Sequence, residues 1–466
     1  MIPMTIDKIA HAIGADVPAT LREARALRVS TDSRALRRGD LFFAIRGDQF
    51  DGHRFVGEAL ARGAVACVSA RSCADKVGPG VTRANGCLWV DDTVAALGAL
   101  ASYYRRSVLP VSSIVIAVTG SNGKTTTKRM IDHVLSGALT GSCAPKNFNN
   151  HIGVPLTLLS ADAADRYVVA EIGTNAWGEV GNLSSIASPD VAVITSIGEA
   201  HLEGLGDMAS VAAEKASLLD HLRPHGLAVV NVDRIELLLH LEKDLGFRVL
   251  TIGTKPWARM HVGQRTGTIH KSRFVLDGRF TVDLPMPGRH HATNAAAAFA
   301  VGRWFGLDPA QIVERLASFV PPEGRTLCLD LEGITVVDDT YNANPASMRA
   351  AIDTLCCQSD GRRVFVMGDM LELGELGSSL HLDIVREAVD SGIEVLIAVG
   401  PQMGRAVGEA GATRIIRCEN AGEACATLDE LVTGGDTVLL KGSRAMRLDL
   451  VVRHLKEKPA RKSAVA

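Results

Sequence analysis

A run of about eighteen apolar residues without a charge, the minimum for a membrane-spanning helix, is missing from this 466-residue chain. The opening residues MIPMTIDKIA lack the basic region and long apolar core of a secretory signal, so a cytoplasmic protein is expected. Excess charge is lacking too: 50 Lys and Arg against 52 Asp and Glu leave a net charge of −2. A nucleic-acid binder working through a broad basic surface is therefore not expected. The nine cysteines form no Cys-x-x-Cys pair, and Cys356 and Cys357 are adjacent. That spacing suits neither a zinc site nor a disulfide framework and reads as reduced thiols. What the chain does have is apolar content, 47% against 22% charged residues, the balance of a folded globular protein. It also has 45 glycines, which suggests many tight strand-to-helix turns. At ~150 residues per domain, the length predicts roughly three domains.

The pattern divides near Pro110 and at Pro321-Pro322, giving segments 1–109, 110–321 and 322–466. The first mixes helical stretches with the strand-like runs LRVST (27–31), DLFFAI (40–45), AVACV (64–68) and CLWV (87–90). In the second, the run 113–118 and the strands YVVAEIG (167–173), DVAVITSIG (190–198) and LAVVNVD (227–233) alternate with helical patterns. Short, continuously apolar strands between helices imply a parallel sheet covered on both faces. Residues 258–285 alternate polar and apolar instead and read as antiparallel excursions. The third segment repeats the rhythm, with strand ends in VVDDTYNANP, RVFVMGD, EVLIAVG and DTVLLKG, and the tail after Lys456 reads as frayed. The fold class expected is α/β throughout.

The run 113–118 leads into TGSNGKTTTKRM (119–130), after which Met130, Ile131, Val134 and Leu135 recur at helical spacing. Gly-x-x-Gly-Lys-Thr between a strand and a helix is what phosphate binding requires. Small residues let backbone N–H groups point inward, the helix end adds positive potential, and Lys124 neutralises β/γ oxygens. Thr125 would place a hydroxyl on Mg²⁺. The pattern departs from the usual Walker A loop, because Val118 stands five before Gly123, and an ordinary Gly-rich turn with a surface lysine is the alternative. Glu171 and His201 follow strand ends, where a carboxylate and an imidazole can hold a divalent metal. Each has a structural alternative, an arginine partner for Glu171 and loop packing for His201. Lys215 falls on the apolar face Val211, Leu218, Leu219, Leu222 of a helix expected over 208–222, in a chain with 13 lysines against 37 arginines. A lysine snorkelling from the edge of that stripe is the alternative there.

Taken together, these residues resemble the Mur ligases, ATP-dependent amide-bond ligases that build the peptidoglycan stem peptide. TGSNGKTTTK is similar to their shortened phosphate loop, which implies ATP contacts from Gly120, Ser121, Asn122, Gly123, Lys124, Thr125 and Thr126. Glu171 in EIGTNAWGE and His201 in SIGEAHLEGLGD match the family's magnesium ligands, and Lys215 matches a lysine carried as a carbamate that helps arrange a second metal. The resemblance thus implies Lys124, Glu171, His201 and Lys215 as the catalytic set, with Thr125, Glu171, His201 and Lys215 around the metals.

STDSR (Ser30, Thr31, Asp32, Ser33, Arg34) followed by GDLFFAIRGDQFDGHRFVGEAL looks like the part that holds the UDP end of a nucleotide-sugar substrate. NFNNHIGVPLTLL with Asn149 and Asn150, DDTYNANPASMRAAI, VMGDMLELGE with His381, and LLKGSRAM are similar to the member that adds D-alanyl-D-alanine to UDP-MurNAc-tripeptide. By family position Asn294, Arg325 and Asp339 would reach the nucleotide. Asn342, Asn344, Lys441, Ser443 and Arg444 would serve the dipeptide and acyl-phosphate side, although Asn-Ala-Asn-Pro is also good turn chemistry. The resemblance implies an N-terminal α/β UDP-substrate domain (1–109), a central P-loop-type ATPase domain with a mostly parallel sheet (110–321) and a C-terminal Rossmann-like ligase domain (322–466). It also implies a monomer whose hinges lie near Pro110 and Pro321-Pro322. Two positions depart from the family: His291 stands where Asn is usual, and His151 where a carboxylate is common. Another ligase on the same scaffold, including a folylpolyglutamate synthase, and a non-catalytic nucleotide-binding regulator remain the rival readings.

Overall fold

Short runs rich in Val and Ile become the inner strands. Val191–Ile194 and Leu227–Asn231 are buried at every position, on both faces, as expected of parallel strands sandwiched between helices. The computed structural model describes residues 1–47, 50–78, 81, 86–145, 147–199, 202–241, 246–358, 361–410 and 415–457. Among these, three main sheets form. The first has four parallel strands in the order Arg28–Ser30, Asp40–Phe43, Ala66–Ala70 and Cys87–Val90. The expected run 64–68 thus starts its strand two residues later.

The central sheet has nine strands. Gly141–Cys143, Tyr167–Glu171, Ile114–Thr119, Val191–Ile194, Leu227–Asn231 and Arg248–Gly253 run parallel in that spatial order. Met260–Gly267, Ser272–Leu276 and Phe280–Leu284 then extend it as the antiparallel meander expected of 258–285. The third sheet orders Leu327–Leu331, Ile334–Asp338, Thr437–Lys441, Arg363–Gly368, Val395–Val399 and Ile415–Cys418, parallel except for its first edge strand. The architecture is α/β.

The strands Arg248–Gly253, Leu327–Leu331 and Ile415–Cys418 escaped the sequence reading because their ends are half exposed and carry charges. Helices Lys124–Leu135 and His291–Trp304 cover one face of the central sheet. On the other face, Leu97 and Leu100 of helix Thr93–Tyr103 share one core with Val154, Leu158, Val180 and Leu183, so apolar packing continues past Pro110. Buried Arg105 locks this joint through its ion pair with Asp190 (2.6 Å). The helix expected over 208–222 is an α-helix only over Met208–Ala216 and tightens to a 3₁₀ turn over Ser217–His221. No described helix is long and apolar enough to cross a membrane, and residues 458–466, where fraying was expected, lie outside the described residues.

Candidate active site

Strands Tyr167–Glu171, Ile114–Thr119 and Val191–Ile194 are neighbours, so their carboxyl ends open onto one crevice, the usual ligand position in such sheets. The loop after Thr119 is tied to the strand beside it. Ser121 Oγ donates to the Gly198 carbonyl (3.0 Å), and the Asn122 amide donates to Ser196 Oγ (2.9 Å). Gly123 has φ +82°, and a Cβ there would lie 2.5 Å from Asn294 Oδ1. Only glycine lets the loop pass this close to helix His291–Trp304. Helix Lys124–Leu135 starts at the crevice, and the positive end of its dipole there suits an anion. Lys124 Nζ bends back to donate to the Gly120 carbonyl (2.7 Å). Burial lowers its affinity for a proton; Glu171 opposes that and Arg325 adds to it.

Glu171 is the hub of the site. Its carboxylate accepts from Thr125 Oγ1 (3.0 Å) and Asn149 Nδ2 (3.1 Å) and pairs with Lys128 Nζ (3.0 Å). Burial alone would raise its pKa, but Lys128, Lys124 and Arg325 overcome that and hold it below the ordinary carboxylate range. Lys128 is fully buried and was not singled out from the sequence. Its signal was position: four residues after Lys124 on the same helix, a second scarce lysine facing the same way. Removing one partner of such a pair leaves an uncompensated buried charge, at a cost of about 3–5 kcal/mol.

Lys215 is also fully buried, and its Nζ has no hydrogen-bond partner among the described residues. The neighbouring carboxylate does not serve it, because Glu214 accepts from the Gly178 and Val180 amides (2.7 and 2.8 Å) at the start of helix Glu179–Ala187. Burial, then repulsion from Lys124, pushes the Lys215 ammonium down to about 7, against the pull of Glu214 and Glu179.

The third segment closes the crevice. Arg325 lies over the Tyr341 ring (3.8 Å to the centroid) and donates to Thr125 Oγ1 (3.3 Å). Asp339 Oδ1 accepts from the Thr326 amide and hydroxyl, and Asp339 Oδ2 pairs with Lys441 Nζ (2.6 Å). Lys441 Nζ also donates to the Asn342 carbonyl (2.9 Å). Asn344 caps helix Pro345–Cys356, as its turn chemistry suggested, and also exchanges amide hydrogen bonds with Asn122 of the phosphate loop (2.9 and 3.3 Å).

These groups line one cavity of about 870 Å³, together with Ser121, Thr126, Asn150, Asn294, Ser443 and Arg444. Asn150 spends its Oδ1 on the Ile152 and Gly153 amides, and Ser443 its Oγ on the Leu371 amide. Lys215 is not among the residues that line the cavity. Ser30, Thr31, Asp32, Ser33 and Arg34 lie apart, at and just past the end of the first strand of the N-terminal sheet, with Asp32 held by Arg34 in a bidentate pair (2.9 Å). His201 lies outside the described residues. Thr195 and Ser196, whose hydroxyls donate to the Asn122 carbonyl of the glycine-rich loop, and the Tyr341 platform were not picked out from the sequence. Their only signal was position just beyond strand ends.

Residues 28–105, 118–302 and 324–444 match, in turn, family models described as Mur ligase family, catalytic domain; Mur ligase middle domain; and Mur ligase, glutamate ligase domain. A Bacillus subtilis protein, UDP-N-acetylmuramoyl-tripeptide–D-alanyl-D-alanine ligase, is 33% identical over 98% of this chain and 100% of its own length. This chain belongs to the Mur ligase family. Among solved structures, MurF from Acinetobacter baumannii superposes with a TM-score of 0.87 at 31% identity, covering 98% of this chain and 99% of that one. The MurF ligase from Thermotoga maritima in complex with ADP gives 0.80 at 28% identity, covering 92% and 97%.

In this Mur ligase His291, the departure from the family's Asn, is buried between two segments. Its Nδ1 meets Asn294 Nδ2 (3.1 Å) and its Nε2 meets Thr326 Oγ1 (3.2 Å), so both nitrogens are engaged by a neutral ring. Burial, then His290, Lys441 and Arg325, lowers its pKa well below 6.5. The unfolded chain therefore takes up this proton more readily, and the stability the neutral ring contributes is complete above 6.5 and lost as pH falls. Urea midpoints should drop between ~pH 7 and ~pH 5, and His291→Asn should flatten that part of the profile. An unchanged slope in the variant would mean that another group titrates.

Proposed function

We propose that this Mur ligase joins D-alanyl-D-alanine to UDP-MurNAc-tripeptide at the expense of ATP, yielding the pentapeptide precursor of peptidoglycan. The observation that carries the reading is the shared cavity. The phosphate loop and Glu171 of the central segment face Asp339, Asn342, Asn344 and Lys441 of the third across one space of about 870 Å³. It is large enough to take a triphosphate and an acyl acceptor together. Full-length similarity to ligases of that name, and to one holding ADP, supports the choice of substrates.

The chemistry this implies has two steps. A terminal carboxylate oxygen of the tripeptide attacks the γ-phosphorus of ATP, releasing ADP and leaving an acyl phosphate. The amine of D-alanyl-D-alanine then attacks the acyl carbon, the C–O bond to phosphate breaks, and the amine loses its proton as the amide forms. Carboxylate and triphosphate repel each other, so positive groups must gather them. In this reading Lys124 leaves its own loop's carbonyl for the β/γ oxygens, and the helix behind it adds its dipole. Arg325, Asp339 and Asn294 hold the nucleotide. Asn149, Asn150, Asn342, Asn344, Lys441, Ser443 and Arg444 lie toward the acyl group and the dipeptide, while Ser30 to Arg34 take the distant UDP end.

The donors present fit magnesium. Glu171 is kept ionised beside the Thr125 hydroxyl, and Lys215 offers a buried amine without a hydrogen-bond partner among the described residues, which would become an oxygen donor as a carbamate. Glu171, Thr125, Lys215 and His201 would hold the ions, which would screen phosphate charge and polarise the transferring group. The reading takes the enzyme as a cytoplasmic monomer divided at 109/110 and 321/322; support comes from a cavity built within a single chain and from one main sheet in each part.

The test is phosphate release from ATP with substrates omitted in turn. Turnover should need both UDP-MurNAc-tripeptide and D-alanyl-D-alanine. Turnover with glutamate or another single amino acid, and none with the dipeptide, would transfer the chain to a different ligase of this scaffold.

A further inference from the structure

The turn between strands Met260–Gly267 and Ser272–Leu276 reaches out of the central sheet and docks on the third segment. Its Ile269 is 2% exposed and belongs to the core of that segment, with Val337, Met348 and Leu355. The turn is closed by the Thr268 amide donating to the Lys271 carbonyl (2.8 Å). Anchored on both sides, the turn holds the next residue, His270, against the edge strand Leu327–Leu331. Along that strand Leu329 and Leu331 pack on the core, so Cys328 and Asp330, at alternate positions, share the opposite face. His270 Nδ1 lies 3.3 Å from Cys328 Sγ. One ligand atom from each of His270, Cys328 and Asp330 falls within 4.8 Å of the others.

We propose that His270, Cys328 and Asp330 form a binding site for a thiophilic divalent cation of the zinc type, one that staples the central segment to the third. The distances suit this ion. With Zn–S of about 2.3 Å and Zn–N of about 2.0 Å, two tetrahedral ligands stand about 3.5 Å apart, close to the separation of His270 and Cys328. One thiol, one imidazole and one carboxylate, with a fourth position left to water, is a zinc-type donor set, whereas magnesium prefers oxygen alone. The site is thus chemically separate from the phosphate cradle. On binding, the Cys328 S–H bond breaks, the sulfur pair forms the metal bond, and the proton passes to buffer. The cysteine spacing excluded a zinc site only within a local stretch; these ligands lie 58 residues apart and come from two segments.

The experiment uses the full chain, stripped with chelator and titrated with Co²⁺ as the spectroscopic probe. A thiolate-to-cobalt charge-transfer band should rise to about one equivalent and be bleached by Zn²⁺. Cys328→Ser should abolish the band, and His270→Ala should weaken binding at least ~10-fold. Replacing Cys356 and Cys357 with Ser, which removes an adjacent thiol pair, should leave it unchanged. None of these residues touches the ATP site, so turnover with magnesium should persist in all the variants and shows that they are folded. A missing band in the unaltered protein, or a band that survives Cys328→Ser, would overturn the proposal.

Discussion

Lys124→Ala should lower turnover at least ~10³-fold, which corresponds to about 4 kcal/mol of transition-state stabilisation. The Lys124 ammonium is parked on the carbonyl of its own loop at Gly120. Loop shape instead depends on Gly123 beside Asn294 and on the hydroxyls of Ser121 and Ser196. The variant should therefore unfold in urea close to the parent midpoint while losing phosphate release. Lys124→Arg should recover little, since a planar fork does not replace a compact ammonium among phosphate oxygens. A Lys124→Ala enzyme retaining a tenth of normal activity would show that the loop does not cradle the phosphates.

Lys215→Ala should be nearly as damaging, and its loss should be chemically reversible. The amine is fully buried, without a hydrogen-bond partner among the described residues, and its pKa of about 7 leaves a substantial neutral fraction at neutral pH. A neutral amine adds CO₂; the nitrogen–carbon bond forms, a proton leaves, and a carbamate anion results. Its charge would suit the cations proposed to lie near ATP, whereas an ammonium there would repel them. Activity should fall at least ~10²-fold in Lys215→Ala and return in part with formate or acetate, small carboxylates able to occupy the vacated space. Removing CO₂ from the parent enzyme should depress turnover until bicarbonate is restored. Full activity in Lys215→Arg would show that a plain cation suffices. Because Glu214 already satisfies backbone amides, the alanine variant strands no partner, and loss of activity cannot be assigned to a broken ion pair.

How far the site could be read from the chain follows from what pattern encodes. The strand–loop–helix arrangement around Lys124 was legible because strand, glycines, lysine and helix are contiguous, and each has a local physical reason. Lys215 stood out as a lysine on an apolar face, and burial bears out that placement. Lys128 was passed over because a lysine one turn into a helix normally reaches solvent; only the third dimension shows Glu171 waiting for it. The roles of Asn122 and Asn344 were out of reach for a similar reason. Their mutual amide bonds join residues 222 apart, and no periodicity records such a pairing. Asn344 bears out the turn reading of NANP, since its side chain caps a helix, and it also bonds to Asn122 of the glycine-rich loop. The half-exposed strands of the third sheet were missed because charged residues interrupt the apolar signal.

The central claim is that the tripeptide carboxylate is activated by phosphoryl transfer in the shared cavity. It is tested most directly by following oxygen. With ¹⁸O in the terminal carboxylate of UDP-MurNAc-tripeptide, one complete turnover should deliver one labelled oxygen per molecule of inorganic phosphate, with ADP as the other product. Phosphate without label, or label appearing in AMP, would contradict the account.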